Sequence, residues 1–207
     1  MLKVWGRVTS INVRKVLWAL DELGWPYEQE DWGLPLRDPK VPEFLAVNPN
    51  GQVPVLIDDG FALWESNAIL VYLAEKAGGG QLLPLELKAR GVALQWLGWQ
   101  ASELNPTWGY AVQALLRHTP GYDDPDQITA SIRRWAQALT ILEGALGDGR
   151  QFVAGESFTV ADIALALSVH RWMKTPAEKP EFAAVEAYHR RMSERQAGAK
   201  WMADALF

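Results

Sequence analysis

The chain has 207 residues, of which 49% are apolar and 22% charged, and a formal charge of −5. This is ordinary globular composition for one large or two small domains, and the acidic balance gives no electrostatic reason to expect nucleic acid or an anionic membrane as partner. Cysteine is absent, which excludes disulfides, zinc–thiolate and iron–sulfur centres and any protein thiol nucleophile, so thiol chemistry here needs a thiol brought by a ligand.

The three histidines, His118, His170 and His189, stand far apart without ligand spacing, so no metal is expected. No segment approaches about 18 uninterrupted apolar residues, so no membrane span is expected. Met1 to Trp5 reads as the start of a strand and lacks the charged start and apolar stretch of about 7–15 residues of a secretory signal. A cytoplasmic location is the expectation.

Leu2 to Trp5 is a short apolar run closed by Gly6, which predicts a buried strand. Val13, Val16, Leu17, Leu20 and Leu23 recur at helical spacing, and Gly24 stands where a helix C-cap belongs. Pro26 to Trp32 predicts a second strand, and a Pro- and Asp-rich connection runs from Leu34 to Pro42. Val55 to Ile57 and Phe61 to Trp64 flank Asp58-Asp59-Gly60, a hairpin with an Asp-Gly turn. Ser66 to Ala77 reads as a helix, stopped by Gly78-Gly79-Gly80. The order β-α-β, a loop with room for a short helix, then β-β-α is that of a thioredoxin-like domain.

Beyond Leu85 the strand signals vanish. Residues 85–105 suit one long helix, with Pro106 and the stretch Thr119-Pro120-Gly121 through Pro125 marking breaks. Ile128, Ile132, Trp135, Leu139, Leu142 and Leu146 form one amphipathic stripe, closed by Gly147. Thr159-Val160-Ala161-Asp162 has the layout of a capping box, with Phe158 placed as its hydrophobic staple. That is a folding device. A last helix is predicted over roughly Pro180 to Glu194. The fold class expected is therefore α/β plus all-α: a thioredoxin-like domain at 1–77, a linker at 78–84 and a helical bundle at 85–207.

Two segments carry chemistry. In Asn48-Pro49-Asn50-Gly51-Gln52-Val53-Pro54-Val55-Leu56 a proline stands at the mouth of a strand, where it cannot donate to a ladder. A cis Val53-Pro54 bond would turn the Val53 amide and carbonyl outward for an extended peptide, whereas a trans proline would simply open an edge strand. In Trp64-Glu65-Ser66-Asn67 a strand passes into a helix start, where free amides and the helix dipole favour a carboxylate. Ser66 is then a hydroxyl donor and Glu65 an acceptor for a ligand ammonium, or Ser66 is only the N-cap.

These segments, "NPNGQVPVL … LWESNAIL", with "TSINVRKVLWALDELG" before them and "FTVADIALA" after, closely resemble the glutathione transferase family, in an order and spacing that cover nearly the whole chain. The resemblance implies glutathione as co-substrate, with Val53 pairing with its cysteinyl backbone beside cis Pro54. Glu65 and Ser66 would hold the γ-glutamyl head, Gln52 would reach the glycine or cysteinyl backbone, and Lys40 the glycine carboxylate. Family classes with an activating serine place it six residues before a valine on the first helix, which points from Val16 to Ser10. Related bacterial and fungal members use a threonine there and an asparagine two positions on, matching Asn12, and Thr9 is the neighbouring alternative. No tyrosine or cysteine is available in this turn, so the classes that use them do not fit.

The same resemblance implies a homodimer and an acceptor pocket between the domains. Val8 and Ile11 would wall it from the first turn, with Trp99, Trp108 and Trp172 as candidates from the helical half, although bulky core packing is the ordinary role for most of the eleven tryptophans. Trp96, Trp99, Gln100 and Glu103 share one helix side, either buried against their own bundle or facing a partner; Glu103 would then approach the partner's glutathione ammonium. The expected activity is attack of the glutathione thiolate on an electrophilic, mostly apolar acceptor. A glutathione-dependent disulfide reductase or peroxidase, and a non-catalytic glutathione- or ligand-binding module, are the rival readings.

Overall fold

The computed structural model describes residues 1–204. Four short strands, β1 (Leu2–Trp5), β2 (Tyr27–Glu30), β3 (Val55–Asp58) and β4 (Phe61–Trp64), form one mixed sheet in the order β2-β1-β3-β4. β2 runs parallel to β1, and β3 and β4 are antiparallel to their neighbours. The β3–β4 turn places both Asp59 and Gly60 at positive φ, 47° and 89°, the backbone that a two-residue hairpin loop demands.

The two-residue period of β1 and β3 decides which core each side chain enters. Leu2, Val4 and Leu56 face α1 (Ile11–Leu23) and α3 (Ser66–Lys76), which pack on each other over one side of the sheet. Val55, with the partly buried Trp5 and Ile57, faces the opposite side, against Trp32 and Phe44. Phe44 belongs to a four-residue helix, α2 (Pro42–Leu45), and its ring lies 5.0 Å from Trp32 and 5.7 Å from Trp5. A loop rich in Pro and Asp is thus pinned by aromatic burial.

The second half is helical throughout. The expected single helix over 85–105 is a correction. Regular α4 spans Leu87–Trp99, a wider π turn follows at Gln100–Leu104, then a 3-10 turn at Asn105–Trp108 and α5 (Gly109–Leu115). Pro106 has no amide to donate to the carbonyl four residues earlier, so the regular ladder cannot pass through it. The chain keeps helical dihedrals across the join and changes hydrogen-bond register instead of stopping.

α6 (Pro125–Leu146) buries its predicted stripe from Ile132 to Leu146, with Ile128 half buried. α7 (Val160–Lys174) is the central column and is buried on nearly every side from Val160 to Trp172, packed against α1, α3, α4 and α8. The closing helix is shorter than predicted, α8 (Ala183–Glu194), and α9 (Gln196–Trp201) follows it. α9 has no apolar stripe to announce it. It is placed by Gly198, where any side chain would collide with the Met192 carbonyl, and by Trp201, whose indole donates to Asp21 at 2.7 Å.

The capping box at α7 is present, and more is attached to it. Asp162 accepts from the Val153 amide (2.8 Å), the Thr159 amide (2.9 Å) and hydroxyl (3.1 Å), and the Tyr188 hydroxyl (3.0 Å). Burial pushes its carboxyl up to about 6, opposed by those donors. Replacing Asp162 with Ala leaves four donors stranded in the core. The expected loss is about 3–5 kcal/mol of unfolding free energy, read by urea denaturation at neutral pH; a loss under about 1 kcal/mol would mean that the donors find other partners.

Candidate functional site

The turn between β1 and α1 is shaped by Gly6, at φ 156°, where a side chain would strike Val13. The Gly6 and Arg7 amides bond the Glu30 and Trp32 carbonyls, both at 2.8 Å, and the Ser10 amide bonds the Arg7 carbonyl at 3.1 Å. Ser10 is the N-cap of α1 by backbone, at φ −81° and ψ 123°, yet its side chain makes no capping bond. The α1 amides at this end are left without an internal partner.

The second wall is the loop before β3. Asn48, 3% exposed, donates through its amide nitrogen to the Gln52 carbonyl at 2.7 Å, and its oxygen accepts from the Asn50 amide at 3.0 Å. That holds residues 48–52 as one rigid bend. The Val53-Pro54 bond is cis, and the β1–β3 ladder begins only at Val55, which leaves the Val53 backbone outside the sheet.

The third wall is the start of α3. Glu65 is its N-cap, at φ 76° and ψ 107°, and caps nothing with its side chain. A non-glycine residue held in that region costs of order 1–3 kcal/mol and persists where surrounding structure imposes it. Ser66 is therefore the first helical residue and not the cap, and it is 3% exposed.

These walls enclose one cavity of about 160 Å³ lined by Asn12, Asn48, Asn50, Gln52, Val53, Pro54, Trp64, Glu65 and Ser66. Six residues singled out in the sequence meet there. Asn48, Asn50 and Trp64 were missed, although they stand inside or beside the two quoted segments. A second cavity of about 410 Å³ shares Gln52 and Val53 with the first, and Lys40 lines it. The Lys40 ammonium donates to the Asn50 carbonyl at 2.8 Å, which ties it to the bend.

Ser10 and Thr9 do not line the first cavity, and the Thr9 hydroxyl accepts from Arg7. Val8 is half buried and Ile11 is 6% exposed in the main core. Trp108 and Trp172 are corrections. Both are buried, at 5.2 Å and 5.0 Å from the Trp135 ring, and neither lines the two cavities described above, where they were expected as an acceptor wall. Trp99 is half buried and packs edge-on against Trp96 at 5.2 Å. Of the shared helix side, Trp96 and Gln100 are buried in this chain's own bundle, while Glu103 is exposed.

Behind the cavity lies a residue that the sequence did not signal. Lys15, 2% exposed on α1, donates to Asn67 Oδ1 at 3.1 Å and to Gln100 Oε1 at 3.0 Å, and Gln100 donates onward to Ser168 at 3.0 Å. This chain joins α1, the first turn of α3, the π turn and α7. Burial lowers the Lys15 ammonium to about 7, with Glu65 raising it and Arg171 lowering it further. A neutral amine has two N–H donors, which matches the two oxygens it faces.

Among the described residues there is no group of three or more side chains suited to a metal, and no helix is long and apolar enough to cross a membrane. A mixed four-stranded sheet with helices on its faces, joined to a helical bundle and opening a peptide-sized cavity at a cis proline, defines a thioredoxin-like domain with a helical companion. Residues 1–75 match the model of the glutathione S-transferase N-terminal domain, and 125–191 that of the C-terminal domain. The chain is 34% identical over 202 residues to glutathione S-transferase GstB of Escherichia coli K12, covering 97% of each chain. It is 33% identical over 166 residues to the disulfide-bond oxidoreductase YfcG of the same strain, covering 75% of this chain and 74% of that one. The glutathione-bound structure of a theta class glutathione S-transferase from Xanthomonas axonopodis pv. citri superposes with a TM-score of 0.93 at 31% identity, over 100% of this chain and 99% of that one. The protein belongs to the glutathione S-transferase family.

Lys15 generates a pH-dependent expectation. Its folded value, about 7, lies below the unfolded value, about 10.4. The unfolded chain therefore binds more protons between the two, and the penalty of burying this group is relieved as pH rises through that window. Relative to Lys15→Met, the native protein should gain about 2 kcal/mol of unfolding free energy between about pH 7 and pH 9, measured by urea denaturation of both proteins. A constant difference would mean that Lys15 stays charged throughout.

Proposed function

We propose that the protein is a glutathione transferase, whose bound thiolate attacks an electrophilic acceptor at the rim of the cavity. The observation that carries this reading is the convergence, on one cavity, of two helix starts without side-chain caps and a peptide backbone freed at cis Pro54. Glutathione is an extended tripeptide with a γ-glutamyl carboxylate and ammonium, and its groups find matching partners there. The α3 amides and Ser66 receive the carboxylate, Glu65 the ammonium, and the Val53 backbone the cysteinyl residue. Gln52 and Lys40 lie toward the glycine end.

The thiol then reaches the α1 start. A free thiol has a pKa of about 8.5, and lowering it by two units takes about 2.7 kcal/mol of preference for the anion. One charge-assisted bond contributes about 1.5–3 kcal/mol and the helix end about 0.3–1 kcal/mol, so no metal or protein base is needed. Asn12 lines the cavity and supplies the amide donor; Ser10 offers an uncommitted hydroxyl beside it.

A reductase acting on glutathione mixed disulfides is the second reading, favoured by the likeness to YfcG; it too needs no protein cysteine. The assembly in this reading is a homodimer, supported by exposed Phe61 and Trp64 on the edge strand β4 and exposed Leu87 and Leu94 on α4. Sedimentation velocity should give a dimer; a monomer removes any role for Glu103 across the interface.

Asn12→Ala should raise the pKa of the bound thiol by about one to two units and slow conjugation at neutral pH about tenfold or more, with Ser10→Ala giving a smaller shift. Thiolate absorbance against pH and the pH–rate profile measure both. Full activity and an unchanged thiol pKa in both variants would sink this assignment.

A further inference from the structure

The second cavity has an unusual balance of charge. Arg7, Lys40 and Arg117 line it against a single carboxylate, Asp38, in a protein whose net charge is −5. Asp38 accepts from the Lys40 amide at 2.8 Å, and Lys40 is engaged with Asn50. Neither arginine forms an ion pair among the described residues.

Both arginines are placed by local backbone. Arg7 runs across Gly33, at φ 106°, where a Cβ would lie 3.2 to 3.4 Å from its Nε, Cδ and Cγ. Its Nη1 is bonded to Thr9, while its Nε is shielded from water and has no partner. Arg117 projects from the turn after α5, which the positive φ of His118 (49°) and the Thr119 amide bond to the Gln113 carbonyl (2.9 Å) shape. It is exposed and makes no side-chain bond among the described residues. Burial first, and then the like charge of Arg117, hold the Arg7 guanidinium below its ordinary value.

A third guanidinium stands behind them. Arg171, 6% exposed on α7, has an unpaired Nε and stacks over Trp108 at 5.7 Å. Burial, then Arg117 and Arg14, lower it to about 9. Like charges gathered without a counter-ion leave a positive potential that a bound anion relieves, and guanidinium forks match carboxylate geometry.

We propose that Arg7 and Arg117 form a carboxylate clamp beside the glutathione cavity, so that the preferred acceptor bears a carboxylate near its electrophilic centre. The inference rests on the transferase reading and adds a carboxylate to the acceptor class expected there. In the conjugation step the glutathione sulfur gives an electron pair to the electrophilic carbon, the carbon–halogen bond breaks and halide departs. The thiol proton has already gone to solvent. The clamp orients the acceptor and stays outside the bond changes. A second glutathionyl group also carries carboxylates, so glutathione disulfide is the other source of the same chemistry.

The test compares 4-chloro-3,5-dinitrobenzoate with its methyl ester, and with glutathione disulfide, in the native protein and in Arg117→Ala, Arg117→Lys and Arg7→Ala. Arg117 is exposed, so its variants keep the fold. The native protein should favour the acid over the ester. Arg117→Ala should raise KM for the acid about tenfold, leave KM for the ester and for glutathione within about twofold, and be partly rescued by Arg117→Lys. If only glutathione disulfide shows this dependence, the clamp serves a glutathionyl carboxylate. Equal effects on acid and ester, or a raised KM for glutathione itself, overturn the proposal. Quenching of tryptophan fluorescence by 4-nitrobenzoate reads the clamp without turnover: a failed transferase reading leaves Arg117-dependent quenching intact, whereas quenching indifferent to Arg117 removes the clamp.

Discussion

The site depends on two helices that begin without side-chain caps. Every helix start leaves amide donors unsatisfied, and folded chains normally satisfy them. The other long helices here conform. Glu86 caps α4, Asp124 caps α6 and the Thr159–Asp162 box caps α7. Even α8 has its first amides bonded to Glu143, at 3.1 and 2.9 Å, from a neighbouring helix. α1 and α3 are the exceptions, and both open on the same cavity. Donors left open at two helix ends on one cavity are available to water or a ligand, and the two helix dipoles pointing there favour an anion.

Keeping those ends aligned is the task of the polar chain behind them. Lys15 bonds Asn67 in the first turn of α3, and Asn67 also donates to the Leu97 carbonyl of α4 at 3.0 Å. Gln100 meets Lys15 from the π turn, where the widened helix brings its amide inward to reach Ser168 as well. The two halves of the molecule are therefore joined by directional bonds within the apolar contact. Rotation of α1 against α3 would break several of them together.

Much of this was legible before any coordinates. Strands β1 to β4, α1, α3, α6 and the capping box announced themselves through period, turn residues and caps, because local rules and tertiary packing agree there. Val53, Pro54, Glu65 and Ser66 were legible because their chemistry is compressed into two short segments. What failed to show was whatever depends on distance in sequence. Lys15 looks like any lysine on an amphipathic helix until Asn67 and Gln100 close over it. Arg117 lies in a turn with no motif, and only the fold brings it beside Arg7. Trp108 and Trp172 could not be assigned from sequence because aromatic residues at helical spacing serve core and pocket alike; in the structure both rings pack on Trp135. The break in the long helix was visible as Pro106, but its outcome, a change of register instead of an end, was not.

The charge distribution gives these features a common sense. The protein is acidic on balance, while Arg171, Arg7 and Arg117 gather near the domain junction with little carboxylate to offset them. Burying such a charge costs stability, and burial is the first cause that lowers Arg171 and Arg7. In the proposed clamp, an acceptor carboxylate between Arg7 and Arg117 supplies the counter-charge that they lack. Binding it should relieve electrostatic cost as well as fill space, so the empty protein is the less stable form by an amount set through ligand linkage. The same potential that is costly in the free protein then draws such an anion in.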